Sequence, residues 1–459
     1  MTSLQDFAGS LRRIYVQDAG LNELSLEAIL DPVPRIDELA LERGARVLMR
    51  CDLDVPLANG VVADDSRLRA ILPGVSHAVE QGWIPILMGH LGRDPDNTLK
   101  PVANALSEAL QTNVRFIPDW IDANNQRLLD SFRDSVQEFE PGQVVVLENT
   151  RKYAVERLMW KLPASEFDSV VPGLYSLASD IYETVSPTLV NEALAASNFD
   201  FSSSVLPLVM DNVGYGFYIS AELGEHGRGA RESTLVVFSG LKIDKLGDLE
   251  EIIKRGKLKM IISAGSLAMA LRKARANLDG TSFSLGLAEE DESAKIFIPN
   301  KRIEQAGRML TECDRQGIQV VLPVDFILDD GSVSKTIPSG KAQMDIGPET
   351  RKLFEEKLVE FADSAANPAL FYNGVFGKFE DDRFSEGTRA FIAALKKVTS
   401  GGVRTYVGGG EGRMALLKYG KLEDVTHAFT AGGTILKSLG NKHIAYVKAN
   451  YLRASEVAV

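Results

Sequence analysis

Short runs of continuously apolar residues, each ending in a glycine or a polar turn, alternate along this chain with segments of helical periodicity. The runs are VLMRCD at 47–52, IPILMGH at 84–90, VVVLEN at 144–149, LVVFSG at 235–240, MIIS at 260–263, VVLPVD at 320–325, ALFYNG at 369–374 and TYVGGG at 405–410. A strand that is apolar at every position must be covered on both faces, as it is in a parallel sheet between helical layers. The pattern therefore predicts doubly wound α/β architecture.

The length of 459 residues and the hydrophobic content of 45% allow more than one core. The stretch AELGEHGRGARES at 221–233 is polar and glycine-rich and lacks apolar periodicity, so we place the domain boundary near it. We therefore predict two doubly wound, Rossmann-like domains joined by a hinge, at 1–222 and 223–439. Residues 440–459 are predicted to form a tail that packs back on the N-terminal domain.

Charge and composition exclude several classes of protein. The net charge of -12 makes nucleic acid an unsuitable partner, because binding to a phosphate backbone needs a basic face. The apolar runs are far shorter than the roughly 20 residues of a membrane helix, and the N-terminus lacks the apolar region of a signal peptide. Cys51 and Cys313 are the two cysteines, too few for a disulfide framework or zinc cluster, and are expected to be buried. We expect a cytoplasmic monomer without a membrane partner.

Polar and charged residues follow the predicted strands of the first half. Because ligands bind at the carboxyl ends of parallel strands, these residues are candidates for a binding site. They are Asp52, Asp54, Arg67, His90, Arg93, Glu148, Asn149 and Arg151. Arginine forks match the geometry of phosphate and carboxylate, so the set predicts an anion site. Any one of them could equally be an ordinary surface residue, and their shared topological position favours the site.

Glycines and a lysine follow the predicted strands of the second half. The candidates are Gly240, Lys242, Gly265, Asn373, Gly374, Glu380, Gly408, Gly409, Gly410 and Glu411. A glycine after a strand is more often only a tight turn, but several in one domain, each starting a helix, indicate a polyphosphate and hence a nucleotide. No Lys-Ser or Lys-Thr follows TYVGGGEG, so this is not a Walker A loop. An oxyanion domain facing a nucleotide domain predicts phosphoryl transfer with hinge closure.

The order of the motifs resembles the phosphoglycerate kinase family from about residue 45 onward. The matching segments are RVLMRCDLDVP, DDSRLRAILP, GHLGRD, LKPVANALSEAL, VVVLENTR, VVFSGLKIDK, VVLPVDF, MDIGPE, FYNGVFGKFE, FSEGTRAF, YVGGGEG and THAFTAGG. The resemblance implies a hinge-closing kinase that transfers a phosphoryl group between 1,3-bisphosphoglycerate and Mg-ADP. Its small-molecule ligands would be a phosphoglycerate-type acid and ATP or ADP, with Mg²⁺.

The resemblance also implies roles for individual residues of the first half. Arg67 would stabilise the transferring group, and His90, Arg93 and Arg151 would belong to the basic patch that holds the acid. Asp52 and Asp54 would lie at the hydroxyl and carboxylate end of that acid.

In the second half, the resemblance places Lys242 on the migrating phosphoryl group and Lys245 on the nucleotide phosphates. Glu411 would lie beside the Mg-nucleotide. The remaining nucleotide-binding residues would be Gly240, Gly265, Asn373, Glu380, Gly408, Gly409 and Gly410.

The sequence departs from the family in both halves. Residues 198–201 read Asn-Phe-Asp-Phe where the family has His-Arg-Ala-His, which removes an arginine of the acid patch. Losing such a contact costs roughly 2–5 kcal/mol. Asp54 replaces an asparagine and adds repulsion toward an anion unless it is protonated or paired.

Near the nucleotide, Glu411 replaces an aspartate, Gly412 a threonine and Ser239 a glycine. The spacing between Lys242 and Lys245 is one residue shorter than in the family.

Three functions remain open at this point. A divergent but active phosphoglycerate kinase is favoured by the presence of Arg67, Arg93, Arg151 and Lys242. An acyl-phosphate kinase for another carboxylate is suggested by residues 198–201. A nucleotide-binding paralogue without turnover is suggested by the combined departures. A dinucleotide-dependent dehydrogenase is disfavoured, because no G-x-G-x-x-G with a downstream acidic residue opens the chain. The first 25 residues lie outside the resemblance and could form a packed helix or an interaction arm.

Overall fold

The computed structural model describes residues 2–16, 18–122, 124–194, 198–364, 366–440 and 444–457. Two compact units divide the chain. The N-terminal unit contains the described residues up to Glu225 together with the last helix, and the C-terminal unit begins at His226. Each unit is built on a six-stranded sheet whose paired strands are all parallel. The predicted fold class of two parallel-sheet α/β domains is therefore confirmed.

The N-terminal unit contains eight of the strands found in the described residues. They are β1 (Arg46–Cys51), β2 (Leu57–Ala58), β3 (Val61–Val62), β4 (Ile84–Met88), β5 (Val114–Ile117), β6 (Val144–Leu147), β7 (Thr188–Glu192) and β8 (Asn212–Tyr215). The sheet order is β5-β6-β4-β1-β7-β8, and β2 pairs with β3 in a separate hairpin. Strands β1, β4 and β6 are therefore neighbours at the middle of the sheet, and the loops that follow them meet at one edge.

The C-terminal unit repeats this plan. Its strands are β9 (Leu235–Phe238), β10 (Met260–Ser263), β11 (Gln319–Val321), β12 (Phe326–Leu328), β13 (Val333–Ser334), β14 (Gln343–Ile346), β15 (Ala369–Asn373), β16 (Arg404–Gly408) and β17 (His427–Ala428). The large sheet has the order β11-β10-β9-β15-β16-β17, and β12 to β14 form a small antiparallel sheet. The central strands β9 and β15 bring the loops after both to the same edge.

Each of the eight apolar runs predicted as strands contains a strand, although in the run 320–325 the strand ends at Val321. Three strands of the first sheet were not predicted, namely β5, β7 and β8. Their sequences, VRFI, TLVNE and NVGY, contain polar residues or glycine, so they lack the continuous apolar run that marks the others. The buried polar residues of β7 are tolerated because the tertiary structure supplies hydrogen bonds that a local pattern cannot show.

Helices cover the faces of both sheets. Those of the N-terminal unit before its last helix are α1 (Leu4–Tyr15), α2 (Ala19–Glu23), α3 (Leu26–Leu30), α4 (Ser66–Glu80), α5 (Lys100–Leu110), α6 (Asp130–Gln137), α7 (Phe167–Thr184) and α8 (Phe217–Ile219). Those of the C-terminal unit are α9 (His226–Arg231), α10 (Leu246–Lys254), α11 (Gly265–Leu278), α12 (Leu287–Glu290), α13 (Asn300–Gln316), α14 (Pro348–Ser364), α15 (Glu386–Ser400), α16 (Gly410–Tyr419) and α17 (Gly432–Leu439). The last helix, α18 (Ala445–Val457), returns to the N-terminal unit and packs beside α1 and α3.

The glycine-rich stretch at 221–233 is helical rather than open. A π-helical turn, Ser220–Glu225, leads directly into α9. A Cβ atom at Gly229 would lie 2.0 Å from Oη of Tyr406, so this glycine allows α9 to pack closely against β16. The glycine therefore serves packing here, which explains why the stretch lacks an apolar periodicity although it is folded.

Both cysteines are buried free thiols, as predicted. Within the described ranges, no helix combines the length and the apolar character needed to cross a bilayer.

The N-terminal helix α1 belongs to the core of its unit. Ser3 caps the helix by accepting the N–H of Asp6 at 3.2 Å. Phe7, Leu11 and Ile14 recur at helical spacing, and all three are buried in the cluster that α7 and α18 complete. Of the two possibilities left open for the first residues, the structure shows the packed helix.

We predict that Phe7→Ala lowers the free energy of unfolding by about 3–5 kcal/mol, because it empties a fully buried position. Leu4→Ala on the same helix is the control, since Leu4 is 43% exposed and should change stability by less than about 0.5 kcal/mol. Urea unfolding of both variants measures the difference. Equal small effects would show that α1 does not contribute to the core.

Candidate active site

The loops after β1, β4 and β6 bring four of the predicted acid-site residues together. Asp54 follows β1, His90 follows β4 and Arg151 follows β6, while Arg67 comes from the first turn of α4. His90 and Arg151 are largely buried, whereas the side chains of Arg67 and Asp54 remain about one-third exposed, at 32% and 35%. Arg93 lies in the loop after β4 and is exposed. The remaining acid-site residue, Asp52, is only 1% exposed.

Asp54 is held by contacts on both of its carboxylate oxygens. Oδ1 accepts the backbone N–H of Gly92 at 2.7 Å, and Oδ2 lies 3.6 Å from both Nη1 of Arg67 and Nε2 of His90. The same Nη1 of Arg67 donates to the backbone carbonyl of Asp54 at 2.6 Å. The interaction with His90, then the hydrogen bond from the Gly92 N–H, and the charge of Arg67 hold the pKa of Asp54 well below its usual range. The carboxylate is therefore ionised and paired, which is the condition that the sequence left open.

Glu148 and Asn149 serve the fold of this edge. Oε1 of Glu148 accepts the N–H groups of Leu99 and Asn149, both at 2.8 Å, and Oε2 accepts the hydroxyl of Thr98 at 2.8 Å. Asn149 donates to the carbonyl of Asn97 at 2.8 Å. These contacts fix the loops after β4 and β6. Glu148 and Asn149 therefore have a structural role at this edge.

A buried arginine that the sequence analysis did not identify lies behind the site. Arg50 is in β1 and is fully buried. Its guanidinium donates to Oγ of Ser202 at 2.8 Å and to the carbonyl of Cys51 at 2.8 Å. Asp200 and Glu156 approach Nη2 to 3.5 and 3.8 Å. The sequence VLMRCD does indicate such a residue, because a charged side chain inside an otherwise apolar strand requires buried partners.

Arg50 also determines the protonation state of His90. Nη2 of Arg50 lies 3.0 Å from Nδ1 of His90, and a guanidinium can only donate, so Nδ1 must be the acceptor. The proton of the imidazole then sits on Nε2, which faces Asp54. Burial lowers the pKa of His90, with the charge of Arg50 acting in the same direction. His90 is therefore neutral and adds no positive charge to the site, and its Nε2–H faces Oδ2 of Asp54 across 3.6 Å.

The segment 198–201 contributes an acid and aromatic rings at this edge. Phe199 packs against the core of the unit, with its ring centroid 6.2 Å from that of Tyr15. Oδ1 of Asp200 accepts the indole N–H of Trp160 at 2.8 Å. The guanidinium of Arg151 lies over the Trp160 ring, 5.4 Å from its centroid, and donates to the carbonyl of Gly92. The four residues themselves carry no cation.

We predict that Arg50→Met destabilises the protein by about 3–5 kcal/mol, because Asp200 and Glu156 then lose their buried cation. Arg69→Met is the matched control, since Arg69 pairs with Asp65 at the surface, where both side chains are exposed, and should cost at most about 1 kcal/mol. Denaturant unfolding of the two variants gives both values. Similar losses would contradict the compensating role of Arg50.

Glu192, at the end of β7, supports the same sheet edge. It is fully buried, and its Oε2 accepts the N–H of Tyr218 at 3.0 Å. Burial raises the pKa of Glu192 to about 8, although the backbone hydrogen bonds oppose the shift. The folded protein therefore binds this proton more tightly than the unfolded chain does.

The contribution of Glu192 to stability should be complete below its unfolded-state pKa, near 4.5, and be lost as the pH rises through about 8. We predict that between pH 5 and 8 the wild type loses about 1 kcal/mol per pH unit relative to Glu192→Gln, which stays neutral. Urea unfolding of both proteins across this range measures the difference. Parallel pH profiles would show that Glu192 does not titrate in this way.

The C-terminal unit has two clefts at the carboxyl ends of its central strands. One has a volume of about 410 Å³, the other about 290 Å³, and Glu411 contributes to both. The larger cleft is lined mainly by glycines and lysines, including Lys242, Lys245, Asn373, Gly409, Gly410 and Gly432. The smaller cleft is mostly apolar, and includes Gly240, Gly265, Leu285, Ile298, Phe376 and Glu380. The predicted nucleotide-site residues therefore line one or the other of these two clefts, with one exception. Gly408 is the last residue of β16 and lines neither cleft.

Two glycines are required by the backbone at this edge. Gly374 and Gly409 have φ angles of 102° and 85°, which disfavour residues with a side chain. A Cβ atom at Gly374 would lie 2.0 Å from the carbonyl oxygen of Ser239, and one at Gly409 would lie 2.6 Å from Nδ2 of Asn373. Asn373 in turn donates to the carbonyl of Gly408 at 2.8 Å. These contacts fix the turn that starts α16.

Lys245 and Glu411 form a half-buried pair in the larger cleft. Nζ of Lys245 lies 3.7 Å from Oε2 of Glu411. Burial lowers the pKa of Lys245, and Glu411 opposes the shift. Oε2 of Glu411 is buried without a hydrogen-bond partner, so it can accept a further cation or donor. Lys242 is exposed at the mouth of the cleft.

The whole chain can be compared with known proteins. The family model described as phosphoglycerate kinase matches residues 36–442. The chain belongs to the phosphoglycerate kinase family. A phosphoglycerate kinase of Thermosipho africanus is 30% identical over 422 residues, which cover 88% of this chain and 94% of that protein. One from Eremothecium gossypii is 29% identical, covering 87% and 94%.

Solved structures show the same fold. The structure of phosphoglycerate kinase from Coxiella burnetii matches with a TM-score of 0.72 at 26% identity, covering 93% of this chain and all of that one. The enzyme from Pyrococcus horikoshii matches with a TM-score of 0.71 at 23% identity, covering 92% and 99%. Membership of the family makes this protein a phosphoglycerate kinase-like phosphotransferase. Phosphoglycerate kinases use ATP or ADP together with Mg²⁺.

Proposed function

We propose that this chain transfers a phosphoryl group between ATP and the carboxylate of a phosphoglycerate-type acid. The acid binds at the loops after β1, β4 and β6, and the nucleotide binds in the two clefts of the C-terminal unit. The observation that carries the proposal is the larger cleft, where two lysines and the glycine-lined start of α16 surround a space of about 410 Å³. Such a space suits a polyphosphate, because glycines at the start of a helix and two lysines line it.

In this reaction a carboxylate oxygen of the acid attacks the γ-phosphorus of ATP. The bond between that phosphorus and the bridging oxygen breaks, and its electron pair remains on ADP. The products are an acyl phosphate and ADP, and the reverse reaction uses the same groups. Transfer of this kind needs alignment and neutralisation of charge rather than a protein nucleophile.

Two cations are proposed to act on the transferred group. Lys242 reaches the mouth of the nucleotide cleft, and the side chain of Arg67 is 32% exposed at the acid site. Neither side chain is buried, so each can contact a ligand without unfolding of the segment that carries it. The other proposed ligand-binding residues are Asp54, His90, Arg93, Arg151, Gly240, Lys245, Gly265, Asn373, Glu380, Gly408, Gly409, Gly410 and Glu411, with Asp52 buried behind the acid site.

Glu411 would hold Mg²⁺ together with water and nucleotide oxygens. Its unbonded Oε2 fits that role, and no cluster of three or more acidic, histidine or cysteine ligands occurs within the described part of the chain. Mg²⁺ commonly retains several waters and takes only one or two protein carboxylates. When bound, the ion would supply neutralisation of phosphate charge.

We predict that Lys242→Ala lowers kcat about 100- to 1,000-fold, because it removes a charge that stabilises the transition state. Turnover is measured with 3-phosphoglycerate and with glycerate as the acid. The readouts are the formation of ADP and the trapping of the acyl phosphate by hydroxylamine. Lys254→Ala is the control, since Lys254 pairs with Glu251 on the surface of α10. Both variants should keep the wild-type melting temperature. Absence of Lys242-dependent turnover with either acid, while ATP still binds, would overturn the catalytic proposal.

A further inference from the structure

Lys245 and Glu411 carry opposite charges that compensate each other inside the larger cleft of the C-terminal unit. Nζ of Lys245 lies 3.7 Å from Oε2 of Glu411, and the two side chains are only 15% and 34% exposed. A Cβ atom on Gly240 would lie 3.2 Å from that oxygen and 3.6 Å from that nitrogen, so both charged groups lie against this glycine. Lys245 therefore has a carboxylate of the chain beside it in the cleft proposed for the phosphates.

The other charged groups of this cleft leave no surplus of positive charge. Among the described residues that line it, the cations are Lys242 and Lys245, and the acidic residues are Asp248 and Glu411. Their formal charges cancel, so a polyphosphate without a metal ion would meet no net positive charge. A phosphate oxygen placed beside Lys245 would also lie close to the carboxylate of Glu411, which repels it.

Glu411 can give up Lys245 only if another cation replaces it. Apart from this ion pair, its Oε2 is buried without a hydrogen-bond partner among the described residues. Leaving a half-buried carboxylate without a cation costs free energy. Mg²⁺ can replace the lysine, since it binds one or two protein carboxylates together with phosphate oxygens and water. The amino group of Lys245, on its flexible chain, is then available to a phosphate oxygen.

We infer that the Lys245–Glu411 pair makes the nucleotide site selective for a nucleotide that carries a divalent cation over the free nucleotide. Glu411 exchanges Lys245 for the cation, and Lys245 exchanges Glu411 for a phosphate oxygen, so each exchange depends on the other. This inference rests on the proposed function and concerns which form of the nucleotide its site accepts.

Calorimetric binding of ADP, with EDTA and with an excess of Mg²⁺ at the same ionic strength, tests the inference. The wild type is expected to bind Mg-ADP at least about tenfold more tightly than free ADP. Glu411→Gln no longer holds Lys245 by charge, so it should bind free ADP about five- to tenfold more tightly than the wild type and Mg-ADP more weakly. A variant that had only lost structure would bind both forms more weakly.

Lys245→Met distinguishes release of the lysine from removal of a repulsive charge. Adding Glu411→Gln to Lys245→Met should change the affinity for free ADP by less than about twofold, because no lysine remains to be released. An equal gain in affinity in both backgrounds would show that loss of repulsion is the whole effect, and would overturn the inference. If a variant does not fold, the wild-type comparison still decides, because equal affinities for free ADP and Mg-ADP overturn the inference.

Glu349→Gln is the matched control. Glu349 pairs with Lys335 at 2.9 Å in the same unit and is 57% exposed, and it lines neither of the two clefts. Removing its charge should leave the ratio of the two affinities within about twofold of the wild type.

Turnover separates this inference from the proposed function. If Glu411→Gln loses the preference for Mg-ADP but Lys242-dependent turnover is absent with 3-phosphoglycerate and with glycerate, the selectivity stands and the catalytic proposal fails. If turnover depends on Lys242 and Glu411→Gln keeps the wild-type preference, the catalytic proposal stands and the selectivity fails. Absence of ADP binding both with EDTA and with Mg²⁺ would overturn both.

Discussion

Burying a full positive charge inside a parallel strand costs free energy unless carboxylates and hydrogen-bond acceptors surround it. Arg50 imposes this requirement on the N-terminal unit. Asp200, Glu156 and Ser202 meet it from segments that are distant in sequence, and Nδ1 of His90 accepts another of its hydrogen bonds. The loops after β1 and β4 are thereby tied to the segment that follows β7. Compensation of this one charge therefore helps to fix the positions of His90 and Asp200.

The two units have similar sheets but differ in how their positive charges are placed. The clefts of the C-terminal unit keep lysine charge near solvent and line the approach with glycines, which is suited to a highly charged polyphosphate. The acid edge of the N-terminal unit balances its arginines with its own carboxylates. Such internal pairing fixes geometry and lowers the net charge that a ligand meets. The family fold is therefore retained, and the arginines at this edge of the N-terminal unit are paired with carboxylates of the chain itself.

Conservation of the fold at about 30% identity has a simple physical basis. The sheets depend on apolar runs and on the parallel order of the strands, and many sequences satisfy both. The acid site depends on individual charges, where one substitution alters a ligand interaction. Segment 198–201 shows the contrast, because Phe199 contributes to the core while Asp200 pairs with Arg50. The same short stretch thus preserves the packing of the unit and alters its electrostatics.

The sequence by itself determined the class of fold and the positions of most central strands, because continuous apolar runs and strand-end glycines are local signals. It also located the candidate groups at the strand ends, since parallel topology places those ends at one edge. Only the tertiary structure decided how Asp54 is paired, which nitrogen of His90 carries the proton, and that α1 belongs to the core. Those outcomes depend on contacts such as that of Arg50 with Asp200, 150 positions along the chain, which no local pattern can encode.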